Sequence, residues 1–306
     1  MLVVGDEADP HAQEVVSELR SLGCTLVMLD AASIEEARWR WQDASFGVFS
    51  DGGWISPVRG WFRRLAPPGQ HLGVAIGGRE AAEASARLTL LSSLSDATIE
   101  WISGYWSLAR AESKLVQYRA ASELGIQVPS TNVVARAEDI DEHLGPRFIV
   151  KPLGIGNYTV EGTSYAVHTR LVERGDSVLN GLGVAPFLIQ QFIEATAHIR
   201  IVTVGPRAWS ARLDARGLPI DWRQSEAAHS AWEPISLPDV EALASTLADR
   251  LQLGFTSQDW ILDTGGEIWF IDVNPSGQWL FLPTEISQAA TCALSNWLAR
   301  GNWEGR

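Results

Sequence analysis

Asp272 and Asn274 stand two residues apart in "FIDVNPSGQW", residues 270–279, on what reads as the end of a strand cut off by Pro275 and Gly277. The segments "TSQDWILDT" and "EIWFIDVN" flank Gly265-Gly266, a two-residue hairpin signal in which both central positions need positive φ. With Thr264 facing Glu267, Asp259 falls opposite Asp272 on one face of the hairpin. Opposed Cβ atoms lie about 4.5–5.5 Å apart, and like charges there repel. Asn274 projects from the same face about 7 Å further on, and no Lys or Arg occupies these hairpin positions. The set reads either as oxygen ligands for a hard divalent cation such as Mg²⁺, with positions left for water and phosphate, or as a solvated hairpin face.

A metal with so few protein ligands is completed by phosphates, so a nucleotide site is the next thing to seek. No Walker A sequence and no G-x-G-x-x-G after the first strand is present. Lys151 instead ends "RFIVK" and precedes Pro152 and a loop with Gly154 and Gly156. Glycines admit backbone N–H groups to phosphate oxygens, and a strand-end lysine adds positive charge beside them. The alternative is a turn punctuating a strand.

The elements that must position these groups follow an α/β and α+β pattern. "MLVVG", an amphipathic segment closed by Gly23, "CTLVMLD", "FGVFS" and "HLGVAIGG" predict an α/β domain over 1–112. Over 113–186 the pattern predicts a smaller domain: helices at 113–124, 137–144 and 171–180 interleaved with strands at "RFIVKP" and "SYAVHT". From 187 to 306 come "FLIQQFI", "HIRIVTVG", "AWSARLD", a helix beginning at Pro238, the hairpin, and a helix over 285–300.

Thirty-seven acidic residues against 24 basic give a formal charge of −13, which argues against a nucleic-acid partner. No apolar run approaches the roughly 18 residues a membrane span needs, and "MLVVGDEADP" lacks the basic start of a signal peptide, so a cytoplasmic protein is expected. Cys24 and Cys292 stand in no CxxC or metal spacing and read as small core residues. The 14 tryptophans read as core and inter-domain packing or, for a few, as a peptide groove.

In chain order, Lys114 at a helix head, Lys151 in "FIVKP", "IQQFIE", "HIRIVTVG", Asp259 and "IDVNPSGQW" look like the ATP-grasp fold. The resemblance implies an N-terminal pre-ATP-grasp domain, with ATP held between a small central domain and a C-terminal domain. Lys114 and Lys151 would contact phosphates and the adenine side, Gly154 and Gly156 would close over the nucleotide, Gln191, Phe192 and Ile193 would border the adenine, and Gln190 would belong to the same nucleotide-binding set. Asp259, Asp272 and Asn274 would hold Mg²⁺. "GWFRR" (60–64), "IDWRQ" (220–224) and the ending "VNPSGQW" make the likeness closest to the graspetide synthetases, the microviridin-type ligases. Those enzymes join Asp or Glu side chains of a ribosomally made precursor peptide, leader plus core, to its Ser/Thr hydroxyls or Lys amines. A homodimer is left open.

Within that likeness Arg200 and Arg223 are candidates to grip a carboxylate and an acyl phosphate, since guanidinium meets either with two parallel bonds; the alternative is a surface ion pair. Asp221 is a general base or orients Arg223. Arg63 and Arg64 contact peptide or form a solvated basic edge. Two departures stand out: His198 replaces an acid two residues before Arg200, and Asp272 replaces the more usual Glu. Two other readings use the same scaffold, a ligase adding a free amino acid to a protein or small-molecule carboxylate, and a nucleotide-free peptide-binding module.

Overall fold

The computed structural model describes residues 1–42, 45–64, 78–153, 157–160, 163–166, 169–183 and 186–303. The first third builds a parallel sheet in the order β2-β1-β6-β7, from β1 (Leu2–Gly5), β2 (Val27–Asp30), β6 (Arg59–Phe62) and β7 (Glu100–Trp101). Helix α1 (Pro10–Ser21) crosses between the first two strands. Its start is dictated locally: Pro10 fits the first turn, and the Asp9 side chain accepts from the His11 and Ala12 amides. A separate meander of β3 (Trp39–Gln42), β4 (Ser45–Ser50) and β5 (Gly53–Ile55) precedes β6, and helices α2 (Gly78–Asp96) and α3 (Tyr105–Ala111) follow it. The strand expected over 71–78 lies outside the described residues except for Gly78, which opens α2.

Helix α4 (Lys114–Glu123) leads into an antiparallel sheet, β12-β9-β13-β8, formed by β8 (Thr131–Val134), β9 (Arg147–Lys151), β12 (Arg170–Glu173) and β13 (Phe187–Gln191). The pair β10 (Asn157–Val160) and β11 (Thr163–Ala166) stands beside it in sequence. The last sheet, β16-β15-β14-β17-β18, contains β14 (Ala195–Val204), β15 (Arg207–Asp214), β16 (Glu233–Ile235), β17 (Phe255–Asp263) and β18 (Ile268–Asn274). Helices α5 (Pro238–Arg250) and α6 (Thr284–Arg300) complete the chain. β13 pairs with β8 and β9, and α4 packs on β18.

Two expected helices are absent. Residues 171–180 split into β12 and a 3-10 turn, Ser177–Gly183, because pairing with β9 buries Val172 and Gly175 turns the chain at φ +98°. Residues 137–144 form two single 3-10 turns, Ala137–Asp139 and Glu142–Leu144, the second capped by Asp141 and ended by Gly145 at φ +78°. The cysteines also depart from expectation: Cys24 is half-buried and Cys292 exposed.

The first and last sheets share one core. Val3, Val15, Val16, Leu19 and Trp61 pack with Trp279, Ile286, Leu294 and Leu298 of the C-terminal segment. Trp279 is fully buried between the His11, Trp61 and Phe255 rings and donates to Thr291 Oγ1 at 3.0 Å, so this tryptophan serves packing between segments. Among the described residues no helix is long and apolar enough to cross a membrane. The sheets also meet through backbone, where Ser103 bridges Leu253 and a Cβ added at Gly254 would lie 2.0 Å from the Ile102 carbonyl oxygen. That oxygen cannot swing away, so Gly254→Ala is expected to lower stability by about 1–3 kcal/mol, read as a lower urea midpoint.

Candidate nucleotide and metal site

The β17–β18 hairpin places Asp259 opposite Asp272 and Ser257 opposite Asn274. The route to that register differs from the sequence reading. The turn is a three-residue loop in which the Asp263 amide donates to the Glu267 carbonyl and only Gly266 has positive φ, +86°. Trp260 consequently faces Phe270, and the register recovers because Ile271 forms a bulge next to Asp272.

The absence of cations on the hairpin itself is made good by two other elements. Arg200 on β14 lies directly opposite Asp259 on β17, and its Nη1 meets Oδ1 at 2.5 Å. Lys114, the first residue of α4, reaches Asp272 Oδ2 at 2.6 Å. A cation at a helix N-terminus opposes the helix dipole, and Asp272 offsets this. The side chains form one row, Arg200, Asp259, Asp272 and Lys114, with Asn274 donating to Asp259 Oδ2 at 3.3 Å. Asp272 Oδ1 is buried without a hydrogen-bond partner among the described residues.

That orphaned oxygen, two acids and an amide fit a hard cation shared with a phosphate ligand. Among the described residues no cluster of three or more His, Cys, Asp or Glu side chains exists that could enclose a metal by itself. The bulge at Ile271 is what sets Asp272 opposite Asp259.

Lys151 closes β9 in a buried position and donates from Nζ to Gln190 Oε1 at 2.8 Å. Burial, and then the charge of Lys114, draws its pKa down to about 8, with Asp272 and Asp259 acting in the opposite direction. Gln190 thus accepts from Lys151 and donates to Thr131 Oγ1 at 3.0 Å. Gln191 Oε1 accepts from the Ser130 amide at 3.2 Å, Phe192 lies 5.4 Å beneath the Arg147 guanidinium, and Ile193 is half-buried. Gly154 and Gly156 lie outside the described residues.

Asp221 is buried and grips Arg223 at two points, Nε to Oδ1 at 2.7 Å and Nη2 to Oδ2 at 2.8 Å. Arg223 itself is largely exposed, and its pKa is raised first by this pairing and further by the charges of Asp259 and Asp272. His198, two residues before Arg200 on the same face of β14, is held toward its neutral form by burial, against the pull of Asp259 and Asp221.

Arg63 does not lie at a peptide-facing edge. It is fully buried, with Nε 3.2 Å from both oxygens of Asp9 and Nη1 donating to the carbonyls of Ser276 at 2.5 Å and Gly277 at 3.2 Å. Burial pulls its pKa down to about 10. Arg63 therefore fastens the turn that follows Asn274 to the N-terminal sheet. Only the position of an arginine directly behind the buried strand "GWF" hinted at this, since its acceptors are mostly backbone oxygens. Arg64 is more exposed and pairs with Asp9 at 3.0 Å.

No protein-family model matches the chain, and no curated protein matches it. Solved structures do. A RiPP-associated ATP-grasp ligase of Chryseobacterium gregarium, in complex with ADP and a leader and core peptide, is similar over 100% of this chain and 98% of its own, with a TM-score of 0.83 and 20% identity. Macrocyclase MdnC of Microcystis aeruginosa MRC, bound with precursor peptide MdnA, gives a TM-score of 0.79 at 18% identity over 99% and 100% of the two chains. ATP-grasp ligase PsnB, complexed with minimal precursor, Mg and ADP, gives 0.75 at 20% identity over 97% and 96%. At these identities the likeness bears on architecture, and the architecture is plain: this chain has the ATP-grasp fold.

Proposed function

We propose that the chain is an ATP-dependent ligase that activates Asp or Glu side chains of a ribosomally made precursor peptide and joins them to Ser/Thr hydroxyls or Lys amines of the same peptide. The observation that carries the reading is the single row of Arg200, Asp259, Asp272 and Lys114 beside Lys151 and Arg223. It occurs in a chain similar from end to end to ATP-grasp ligases solved with ADP and precursor peptides.

A carboxylate resists attack because its leaving group is poor. Transfer of the γ-phosphoryl group of ATP to a carboxylate oxygen releases ADP and leaves an acyl phosphate. The hydroxyl or amine then attacks the carbonyl carbon, the bond to the phosphate oxygen breaks, and the nucleophile's proton leaves with phosphate or solvent. Lys114 and Lys151 hold the phosphates, Gln190 aims Lys151, and Gln191, Phe192 and Ile193 border the base. Gly154 and Gly156 belong to the loop assigned to close over the nucleotide, excluding water from the acyl phosphate.

Asp259, Asp272 and Asn274 would hold magnesium, which would supply positive charge to the transferred group. Arg223, oriented by Asp221, presents an exposed guanidinium to the substrate carboxylate or the acyl phosphate. Asp221 acts as that orienting group, since both its oxygens are engaged by Arg223. Arg200, paired with Asp259, is assigned with Arg223 to the substrate carboxylate or the acyl phosphate. The need for ATP assigns the reaction to the cytoplasm.

The test is incubation with ATP, Mg²⁺ and a candidate peptide encoded beside this chain, followed by mass spectrometry. Loss of one water per link is expected; gain of a residue mass would favour addition of a free amino acid, and no ADP release with any peptide would favour a binding module. Asp272→Ala and Asn274→Ala are each expected to abolish turnover with an unchanged circular dichroism spectrum, and full activity in either would remove the metal assignment.

A pH dependence follows from Lys151. Its folded pKa of about 8 lies below the ordinary 10.5, so nucleotide affinity should fall as pH rises through about 8, and a Lys151→Met variant should lack that slope in calorimetry. The stability contribution has the opposite sign: the unfolded chain binds the extra proton between the two values, so the burial penalty on the charged lysine is relieved as pH rises through that window.

A further inference from the structure

The meander β3-β4-β5 supplies none of the residues of the site above, and its two faces differ. Trp39, Phe46, Val48 and Ile55 turn to the core. Alternation puts Arg38, Arg40, Gln42, Phe49, Trp54 and Ser56 on the opposite face, all of them exposed except the half-buried Phe49. The Arg38 guanidinium lies 4.0 Å from the centre of the Phe49 ring and 5.5 Å from that of Trp54, and Arg40 lies 4.4 Å from Trp54. One indole thus carries two cations, and neither meets a carboxylate among the described residues. Like charges so placed repel, and an anion bridging them would relieve the repulsion. The stretch 38–64 holds five arginines and two acids in a chain of formal charge −13, so this part of the surface is locally basic. Beside Arg40 a hollow of about 220 Å³ is lined by Gln42, Ser45, Phe46, Gly47 and Ser56. Its polar groups are a guanidinium, an amide and two hydroxyls. Gly47 keeps it open, since a Cβ there would lie 3.3 Å from Arg40 Nε and 3.4 Å from Arg40 Cγ.

We propose that this face of the meander docks an acidic peptide segment in extended conformation, with Arg38 and Arg40 taking two carboxylates that stand two residues apart. Arg38 and Arg40 are one strand repeat apart, about 7 Å, which is also the spacing of every second side chain on an extended peptide. A helical segment would send such side chains to different faces. A guanidinium lying flat on a ring keeps its N–H edge free, and that edge meets a carboxylate with two parallel bonds. The hollow receives the carboxylate bound to Arg40, where Gln42, Ser45 and Ser56 add donors. A phosphodiester chain fits less well, because its affinity comes from many cations in register and this face offers two. The peptide assigned to this surface is the precursor of the ligase reading, and for that source the inference rests on that reading; the surface itself is a second contact, on elements that carry none of the nucleotide or metal residues.

The experiment is fluorescence anisotropy on the full chain at low salt without nucleotide. The probes are fluorescein-labelled Thr/Val peptides with Glu at alternate positions, with the same Glu residues side by side, or with Gln in their place. The alternating peptide is expected to bind several-fold more tightly than the side-by-side one, and the Gln peptide not to bind. Reversing both charges, Arg38→Glu with Arg40→Glu, is expected to weaken the alternating peptide by about 10-fold or more. Gly47→Ala keeps every charge, pushes on Arg40 and narrows the hollow, so it too is expected to weaken binding. Wild-type affinity in the charge-reversed protein, no binding by the wild type, or equal affinity for the two Glu arrangements would overturn the proposal. An unchanged affinity in Gly47→Ala counts against the hollow. Equal binding of a labelled oligothymidylate would reduce the face to a general anion site, and a dimer that falls apart on charge reversal would make it an interface between copies; either result overturns the peptide assignment. None of these measurements needs ATP. A chain that releases no ADP with any peptide would therefore remove the ligase reading and leave the surface standing, and loss of the surface would leave the ligase reading intact.

Discussion

Two carboxylates facing each other across an antiparallel ladder set the terms for the rest of this structure. At about 5 Å and an effective dielectric near 20, the repulsion of Asp259 and Asp272 is on the order of 3 kcal/mol. The fold answers with a cation for each acid, drawn from different parts of the chain: Arg200 from the neighbouring strand and Lys114 from the head of α4. These contacts require α4 to lie against β18 and β14 to lie beside β17, and both packings are present. Under the proposed function the same two cations, which hold the acids apart, would also be the ones to meet a triphosphate.

Much of this was legible in the sequence, in part through errors that compensate. A two-residue turn predicts the opposition of Asp259 and Asp272, and the protein reaches it with a three-residue turn and a bulge. Period-two alternation fixes which face a residue occupies, but it carries no mark for an inserted residue in mid-strand. The pairing of Asp221 with Arg223 was legible because its partners are two residues apart. The cations were harder to place. Lys114 is 158 residues from Asp272 and Arg200 is 59 from Asp259, and composition near the hairpin says nothing of either.

The segment at 171–180, which reads as a helix, shows the same limit. Its residues tolerate that conformation, and only the edge of β9, with Phe148 waiting opposite Val172, makes it a strand. Gln190 illustrates a different one. The sequence marks a polar residue at the right place in the chain, but whether its amide faces a base or a lysine depends on where Lys151 ends, two strands of one sheet meeting side by side.

Arg63 also carries a mechanical consequence. A buried guanidinium is costly without partners, and those it uses are Asp9, 54 residues before it, and the carbonyls of Ser276 and Gly277, more than two hundred residues after it. Asp9 is at the same time the cap of α1. One carboxylate thus couples the start of the first helix to the chain just beyond β18, and a disturbance at either would be felt at the other.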